Sequence, residues 1–242
     1  MADHRAYISD ATRLYVIGDI HGRADLLDQI AEKISLDIRQ YPGPKCLTIT
    51  LGDYIDRGPD SRGVLDRLAR NPFPTSYVAL KGNHEELFES FMQDPSIGHH
   101  WRRLGALETI HSYRVPVSAL MTGQGFEEAR NALKLAVPNE HLRFLASLKT
   151  SLTIGEFFLC HAGVRPSVSL ERQKVDDLLW IREEFLSSTM SFGKIVIHGH
   201  SPVQWPEVRP NRINIDTGAF ATGRLTCLVV ENGRPRRFLF TT

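Results

Sequence analysis

RLYVIGDIHGRADLL, residues 13–27, is an apolar run cut short by glycine. Leu14, Tyr15, Val16 and Ile17 read as a buried strand, Gly18 ends it, and a helical pattern starts at Ala24. Between them stand Asp19 and His21. On an extended backbone, residues two apart point the same way, so this pair reads as two donors presented together. The device recurs four times: runs end in GDYIDRG (52–58), GNHE (82–85), CHAG (160–163) and HGHSP (198–202), each placing Asp, Asn or His beside glycine. In an open parallel sheet the loops beyond the carboxyl ends of the strands converge on one edge, and functional groups gather there.

Working outward, three strand–helix units open the chain. Strands are expected at Leu14–Ile17, Cys46–Leu51 and Tyr77–Leu80, and helices at Ala24–Ser35, Ser61–Arg70 and Glu85–Met92. Such repetition implies a parallel sheet with right-handed crossovers. Residues 94–150 read as helices around Trp101–Tyr113, Phe126–Leu135 and Asn139–Leu148, a helical insertion within one domain spanning 1–242. Strand returns at Phe157–Cys160 and Lys194–Ile197, with a helix over Lys174–Phe185 between them. The end of the chain reads as an antiparallel tail, Arg212–Ile215, Leu225–Glu231 and Arg237–Phe240, with a hairpin signal at Asn232-Gly233.

Composition excludes several classes. With 242 residues, 42% hydrophobic and 24% charged, the chain can bury a core that needs no disulfide or structural metal. A net charge of +1 gives no electrostatic footprint for nucleic acid. No apolar run approaches the ~20 residues of a membrane span. The three cysteines (Cys46, Cys160, Cys227) are odd in number and sit in apolar runs, which fits a reducing compartment. The polar opening MADHRAYISD lacks signal-peptide character, so the expected location is the cytoplasm.

Carboxylate, carboxamide and imidazole together suit a divalent ion, with Mn ahead of Fe or Zn. Asp19, His21, Asp53, Asn83, His161 and His200 are too many ligands for one small ion. Two ions sharing a carboxylate would use them all, and Asp53, from the middle strand, is the natural bridge. Paired ions favour in-line displacement at phosphorus. His198 alternates with His200 and is assigned to packing or support. The cluster His99, His100, Trp101, Arg102 and Arg103 reads as a solvated helix start, with a substrate-facing lid as the alternative. LCHAGVRPS superficially suggests a cysteine-dependent phosphatase, but His161 follows Cys160 and only four residues separate Cys160 from Arg165.

In this order and at these intervals, the five motifs resemble the calcineurin-like metallophosphoesterases, and within them the phosphoprotein phosphatase family and its bacterial members. The resemblance runs from Leu14 to about Gly218 and is silent on residues 94–140. It implies an α/β fold of four layers, an αββα sandwich with the helical insertion. It implies one metal on Asp19, His21 and bridging Asp53, and a second on Asp53, Asn83, His161 and His200. By the same resemblance, His84 protonates the leaving oxygen, Asp56 orients its ring, and Arg57 clamps phosphate. Arg182, in LLWIREEF, is the second clamp. The fifth motif is GHSP where bacterial relatives more often show GHTP. The implied activity is hydrolysis of phosphoserine and phosphothreonine proteins by water attacking phosphorus directly. The alternatives are a symmetrical dinucleoside tetraphosphate hydrolase, against which retention of GDIHG and DRG leans, and a small-molecule phosphomonoesterase. A different class, a catalytically silent interaction scaffold, conflicts with the full set of ligands.

Overall fold

The computed structural model describes residues 12–232, 234 and 236–241. The opening segment 1–10 and Gly233 of the expected hairpin turn lie outside the described residues. Strands β1 (Thr12–Ile17), β2 (Lys45–Thr50) and β3 (Ser76–Ala79) pair in parallel. Each leads into a helix: α1 (Ala24–Gln40), α2 (Ser61–Leu68) and α3 (Asn83–Gln93). There follow α4 (Gly98–Trp101), α5 (Ala106–Ser112), α6 (Ser118–Met121), α7 (Phe126–Ala136) and α8 (Asn139–Ala146). The remainder comprises β4 (Ser151–Ile154), β5 (Phe157–Cys160), α9 (Val175–Trp180), α10 (Glu183–Leu186), β6 (Ile195–His198), β7 (Glu207–Val208), β8 (Arg212–Asn214), α11 (Ala219–Thr222), β9 (Thr226–Glu231) and β10 (Arg237–Phe240).

These strands form two five-stranded mixed sheets, ordered β10-β9-β1-β2-β3 and β4-β5-β6-β8-β7. Side-chain alternation along each strand stacks them. Leu14 and Val16 of β1 share one apolar cluster with Phe157, Leu159, Ile197 and Ile213 of the second sheet, so the sheets lie face to face. Tyr15 and Ile17, one step out of phase, face Leu27, Ile30, Val64 and Phe88 of the helices. On the far side Phe158, Cys160 and Val196 pack under Leu178 and Phe185 of α9 and α10. The result is the four-layer αββα arrangement. At about 1.5–3 kcal/mol for each fully buried apolar side chain, the shared inner cluster dominates the cohesion between sheets.

The structure corrects the expectation that one parallel sheet carries all five motif-bearing ends. Three belong to the first sheet and two to the second. The expected antiparallel tail is divided between them. β8 pairs in parallel with β6, whereas β9 and β10 run antiparallel beside β1. β4 and the two-residue β7 are not among the expected strands; each is a short edge strand that pairs only with its neighbour in sequence, β5 and β8.

Two expected helices are broken, one against Arg57 and one at Arg182, both residues expected at the site. Trp101–Tyr113 is interrupted at Gly105, at φ 104°, where a Cβ would lie 2.7 Å from the Arg57 backbone nitrogen. Lys174–Phe185 is interrupted at Ile181–Arg182, so Arg182 stands at the entry to α10 instead of on a helical face.

The helices of residues 94–150 pack onto the first sheet's helical layer through Trp101, which is fully buried between Phe88 and Phe91 at ring separations of 5.8 and 5.1 Å. Trp101 is therefore not part of a solvated helix start. Phe91→Ala will lower stability by about 3–5 kcal/mol in urea unfolding, and a loss under about 1 kcal/mol would show that this aromatic cluster does not anchor the segment. A second anchor is buried His141, hydrogen-bonded to the Tyr113 hydroxyl (2.8 Å) and Asp66 (3.0 Å). Burial holds its pKa below the ordinary 6.5, against the opposing pull of Asp66. As pH falls the unfolded chain takes up this proton first, so the imidazole's contribution to stability is lost below about 6.5. His141→Gln will accordingly flatten the drop in urea midpoint between about pH 7 and pH 5, whereas an unchanged slope would remove His141 as its source.

Candidate metal centre

The loops after β1, β2 and β3 meet those after β5 and β6 around one carboxylate. Asp53 turns its two oxygens to different partners. Oδ2 lies 3.4 Å from His21 Nε2 and 3.7 Å from His84 Nε2, while Oδ1 lies 3.3 Å from His161 Nε2. On the Oδ1 side, Asn83 Oδ1 is 3.0 Å from His161 Nε2 and 2.9 Å from His200 Nδ1, and the two ring nitrogens are 3.2 Å apart. All of these side chains are buried. Asp19 accepts the His200 backbone N–H at 3.0 Å through Oδ2, and its buried Oδ1 has no partner among the described residues.

The donor chemistry of this cluster fits cations. His21 Nδ1 faces the Ile55 carbonyl at 2.8 Å and His161 Nδ1 faces the Leu51 carbonyl at 3.0 Å. A ring that donates from Nδ1 presents an Nε2 lone pair, here toward carboxylate and carboxamide oxygens. Lone pairs converging on one another in a buried volume repel unless positive charge lies between them. At His161 a proton meets the same demand for positive charge. Burial works against a charged His161, yet Asp53 overrides it and the ring is pushed up to about 9. Burial pushes the Asp19 carboxyl well above its ordinary range, with Asp216 and Asp53 adding to the effect. Burial and the neighbouring His161 hold His200 down to about 2. Asp19, His21, Asp53, Asn83, His161 and His200 could thus hold two divalent ions, with Asp53 shared.

The backbone is bent to make this possible. His21, Asp53, Asp56, Arg57 and His200 all have positive φ, between 45° and 71°. Non-glycine residues adopt that region rarely and at a cost of about 1–3 kcal/mol, a strain that concentrates at functional sites. The Asp19–His21 pair is therefore not presented by strand alternation, because β1 stops at Ile17 and a left-handed turn carries His21. Glycine seats the carboxylates. A Cβ on Gly82 would stand 2.1 Å from Asp53 Oδ1, and one on Gly199 would stand 2.0 Å from Asp19 Oδ1.

His84 sits beside the cluster with Nδ1 2.6 Å from Asp56 Oδ2. Asp56 is fully buried and also accepts from Trp101 Nε1 at 2.6 Å and Thr109 Oγ1 at 2.5 Å. Burial opposes a charged His84, but Asp53 and Asp56 outweigh it and raise its pKa. A guanidinium nitrogen of Arg57 lies 3.1 Å from His84 Nε2. Arg182 is exposed, and one of its guanidinium nitrogens is 3.3 Å from Ser201 Oγ. His198 is turned away, its ring 4.9 Å from Phe185, and burial pushes it down to about 3. Cys160 is buried with its thiol pushed up by burial, which makes it a poor nucleophile.

Several contributors carry no local signal. Glu85 is fully buried and accepts backbone N–H bonds from Asp53, Tyr54 and Gly82 at 2.8–2.9 Å, so it shapes the loop that presents Asp53. Burial, with Asp53 beside it, pushes Glu85 up to about 7. Trp101 and Thr109 reach Asp56 across 45 and 53 residues of chain. Buried Asp216 adds negative charge near Asp19 and Asp53, and Phe220 packs its ring 5.5 Å from that of His21. A separate trio, Asp66, Glu140 and His141, also has metal-ligating atoms close together, but Arg70 and Tyr113 already engage Glu140 and His141.

Comparison with known proteins agrees with this geometry. An asymmetrical bis(5'-nucleosyl)-tetraphosphatase PrpE from Anoxybacillus flavithermus is 26% identical over 235 residues, covering 88% of each chain. Serine/threonine-protein phosphatase 1 of Salmonella typhimurium is 28% identical over 227 residues, covering 90% of this chain and 92% of its own. Among solved structures, a putative diadenosine tetraphosphatase superposes with a TM-score of 0.64 at 19% identity, over 98% of this chain and 99% of that one, which supports the fold. The sequence profile of the calcineurin-like phosphoesterases matches residues 12–226, a span that contains every residue of the buried donor cluster, and the chain belongs to that family of hydrolases.

Proposed function

We propose that this chain hydrolyses phosphoesters by direct attack of water on phosphorus, with phosphoserine and phosphothreonine proteins as its principal substrates. The observation that carries the reading is Asp53, whose two oxygens face separate groups of donors. In this reading Asp19, His21 and Asp53 hold one divalent ion, and Asp53, Asn83, His161 and His200 hold the other. The mixed carboxylate, carboxamide and imidazole set suits Mn, Fe or Zn, and Mn is the ion proposed. When bound, such a pair of ions makes water nucleophilic at neutral pH and neutralises phosphoryl charge.

The chain's own groups do the rest. Arg57 offers planar paired donors to the phosphoryl oxygens, and Arg182, beside Ser201, offers a second set. A phosphate oxygen competes with His84 for the Arg57 guanidinium. Once Arg57 turns to the substrate, His84 Nε2 is free to carry a proton, with Nδ1–H held by Asp56. That proton goes to the departing alkoxide, a step worth roughly 10²–10⁴ in rate. Bond formation from water and cleavage of the P–O ester bond occur at one phosphorus, and no phosphorylated side chain forms.

The Anoxybacillus relative supports a second reading, hydrolysis of dinucleoside tetraphosphates. Parallel assays of a phosphoserine peptide and diadenosine tetraphosphate, each with and without Mn²⁺, separate the two readings. The peptide is expected to turn over faster, and the reverse order would overturn the substrate assignment. No helix among the described residues is long and apolar enough to cross a membrane. The three cysteines are free, which supports a cytoplasmic setting.

Asp53→Asn will bind fewer divalent ions per chain than the parent by elemental analysis; equal stoichiometry would count against a shared carboxylate. His84→Asn will lower kcat about 10²–10⁴-fold on the phosphoserine peptide but much less on p-nitrophenyl phosphate, whose leaving group needs no proton. Equal losses on both substrates would remove His84 as the acid. Hydrolysis in ¹⁸O-water should place one solvent oxygen in each phosphate released, and a trapped phosphohistidine would defeat direct attack.

A further inference from the structure

Arg57 is held in an unusual way for a buried-site arginine. Among the described residues, no carboxylate lies within ion-pair distance of its guanidinium. Its backbone N–H is fixed to the Gly105 carbonyl at 3.1 Å, and its Nε makes only a long 3.4 Å contact with the Leu104 carbonyl. One guanidinium nitrogen faces His84 Nε2 at 3.1 Å, and the guanidinium carbon lies 5.0 Å from the centre of the Phe220 ring. A carboxylate partner would use up N–H donors and cancel the charge that a phosphate needs. A ring holds the cation through its π face and leaves the in-plane N–H groups free.

Phe220 is itself well placed for this. It lies on α11, between Gly218 at φ 63° and Gly223 at φ 72°. Arg23 donates to the Ala219 carbonyl at 3.1 Å and grips Asp25 through two bonds of 2.8 and 2.6 Å, tying the turn to the start of α1. Thr222 Oγ1 closes the turn on the Thr217 carbonyl at 2.9 Å. The ring meets that of His21 at 5.5 Å and 85°, and with Arg23, Arg57 and Asp60 it lines a cleft of about 450 Å³.

We infer that Phe220 is a positioning residue, whose ring orients the Arg57 guanidinium for phosphate without consuming its donors. The inference rests on the reading of Arg57 as the phosphate clamp. It predicts an effect on phosphate binding that passes through Arg57, requires an aromatic face, and leaves the metal content alone.

The test uses the full chain loaded with Mn²⁺, with inorganic phosphate as competitive inhibitor of p-nitrophenyl phosphate hydrolysis. Phe220→Leu should raise the phosphate Ki and the KM roughly 3–10-fold with unchanged metal stoichiometry. Phe220→Tyr should restore both to within about 2-fold, since the π face returns. In an Arg57→Ala background, Phe220→Leu should add less than about 2-fold, because the pair acts as a unit. Where Leu loosens the turn, Phe220→Met supplies the same comparison at nearly conserved volume. The inference is overturned by a parental Ki in Phe220→Leu, by failure of Tyr to rescue, by an undiminished effect without Arg57, or by a fall in bound metal, which would route the effect through His21. A parental Ki in Arg57→Ala alone would instead overturn the clamp reading beneath it.

Discussion

A buried carboxylate needs positive charge beside it, and Asp53, which accepts the His84 backbone N–H at 3.2 Å, meets imidazole nitrogens on both sides. Its oxygens look toward His21 on one side and His161 on the other, with Asn83 and His200 just beyond. The fold around it reads as a device for enforcing that crowding. Both sheets end at the same edge, Glu85 gathers the backbone N–H groups of the Asp53 loop, and Gly82 leaves no side chain where the carboxylate must lie. The energy that holds these groups together comes from elsewhere, in the apolar layer shared by the two sheets. Stability is spent on strain at five left-handed residues so that charge can be concentrated.

The chemistry-bearing residues were legible in sequence because each stands at the abrupt end of an apolar run beside glycine. Strand Phe157–Cys160 was readable to the residue for the same reason. The assignment of strands to sheets was not. Arg212–Asn214 and Thr226–Glu231 look alike as short apolar segments, yet one pairs with β6 and the other with β1. That choice depends on which face each strand buries against a partner far away in the chain, which local pattern does not encode. Likewise, the period of Trp101–Tyr113 announces a helix, while its break at Gly105 is dictated by the Arg57 backbone lying against it. Glu85 shows the middle case: its motif drew attention, but its task, accepting N–H groups some thirty residues earlier in the chain, is visible only in the folded chain.

The two families of relatives, named for tetraphosphates and for phosphoproteins, fit a site whose chemistry is indifferent to what the phosphate is attached to. In the proposed reading, the donors around Asp53 address phosphorus and leave discrimination to the groups around them. Aromatic rings flank the cluster at two of its imidazoles: Phe220 lies edge-on to His21, and Trp180 lies edge-on to His200 at 6.4 Å, with His100 beyond it.

The helical segment between residues 94 and 150 supplies Trp101 and Thr109 to Asp56, and Gly105 to Arg57. In the proposed reading, this segment is therefore mechanically linked to the acid His84 and the clamp Arg57. A segment exchanged for that of another family member would bring its own preferences to the opening, but would also have to reproduce an indole and a hydroxyl at the carboxylate beneath His84. The segment is in that sense tethered: its outer surface answers to solvent, while the few atoms on its underside answer to Asp56 and Arg57.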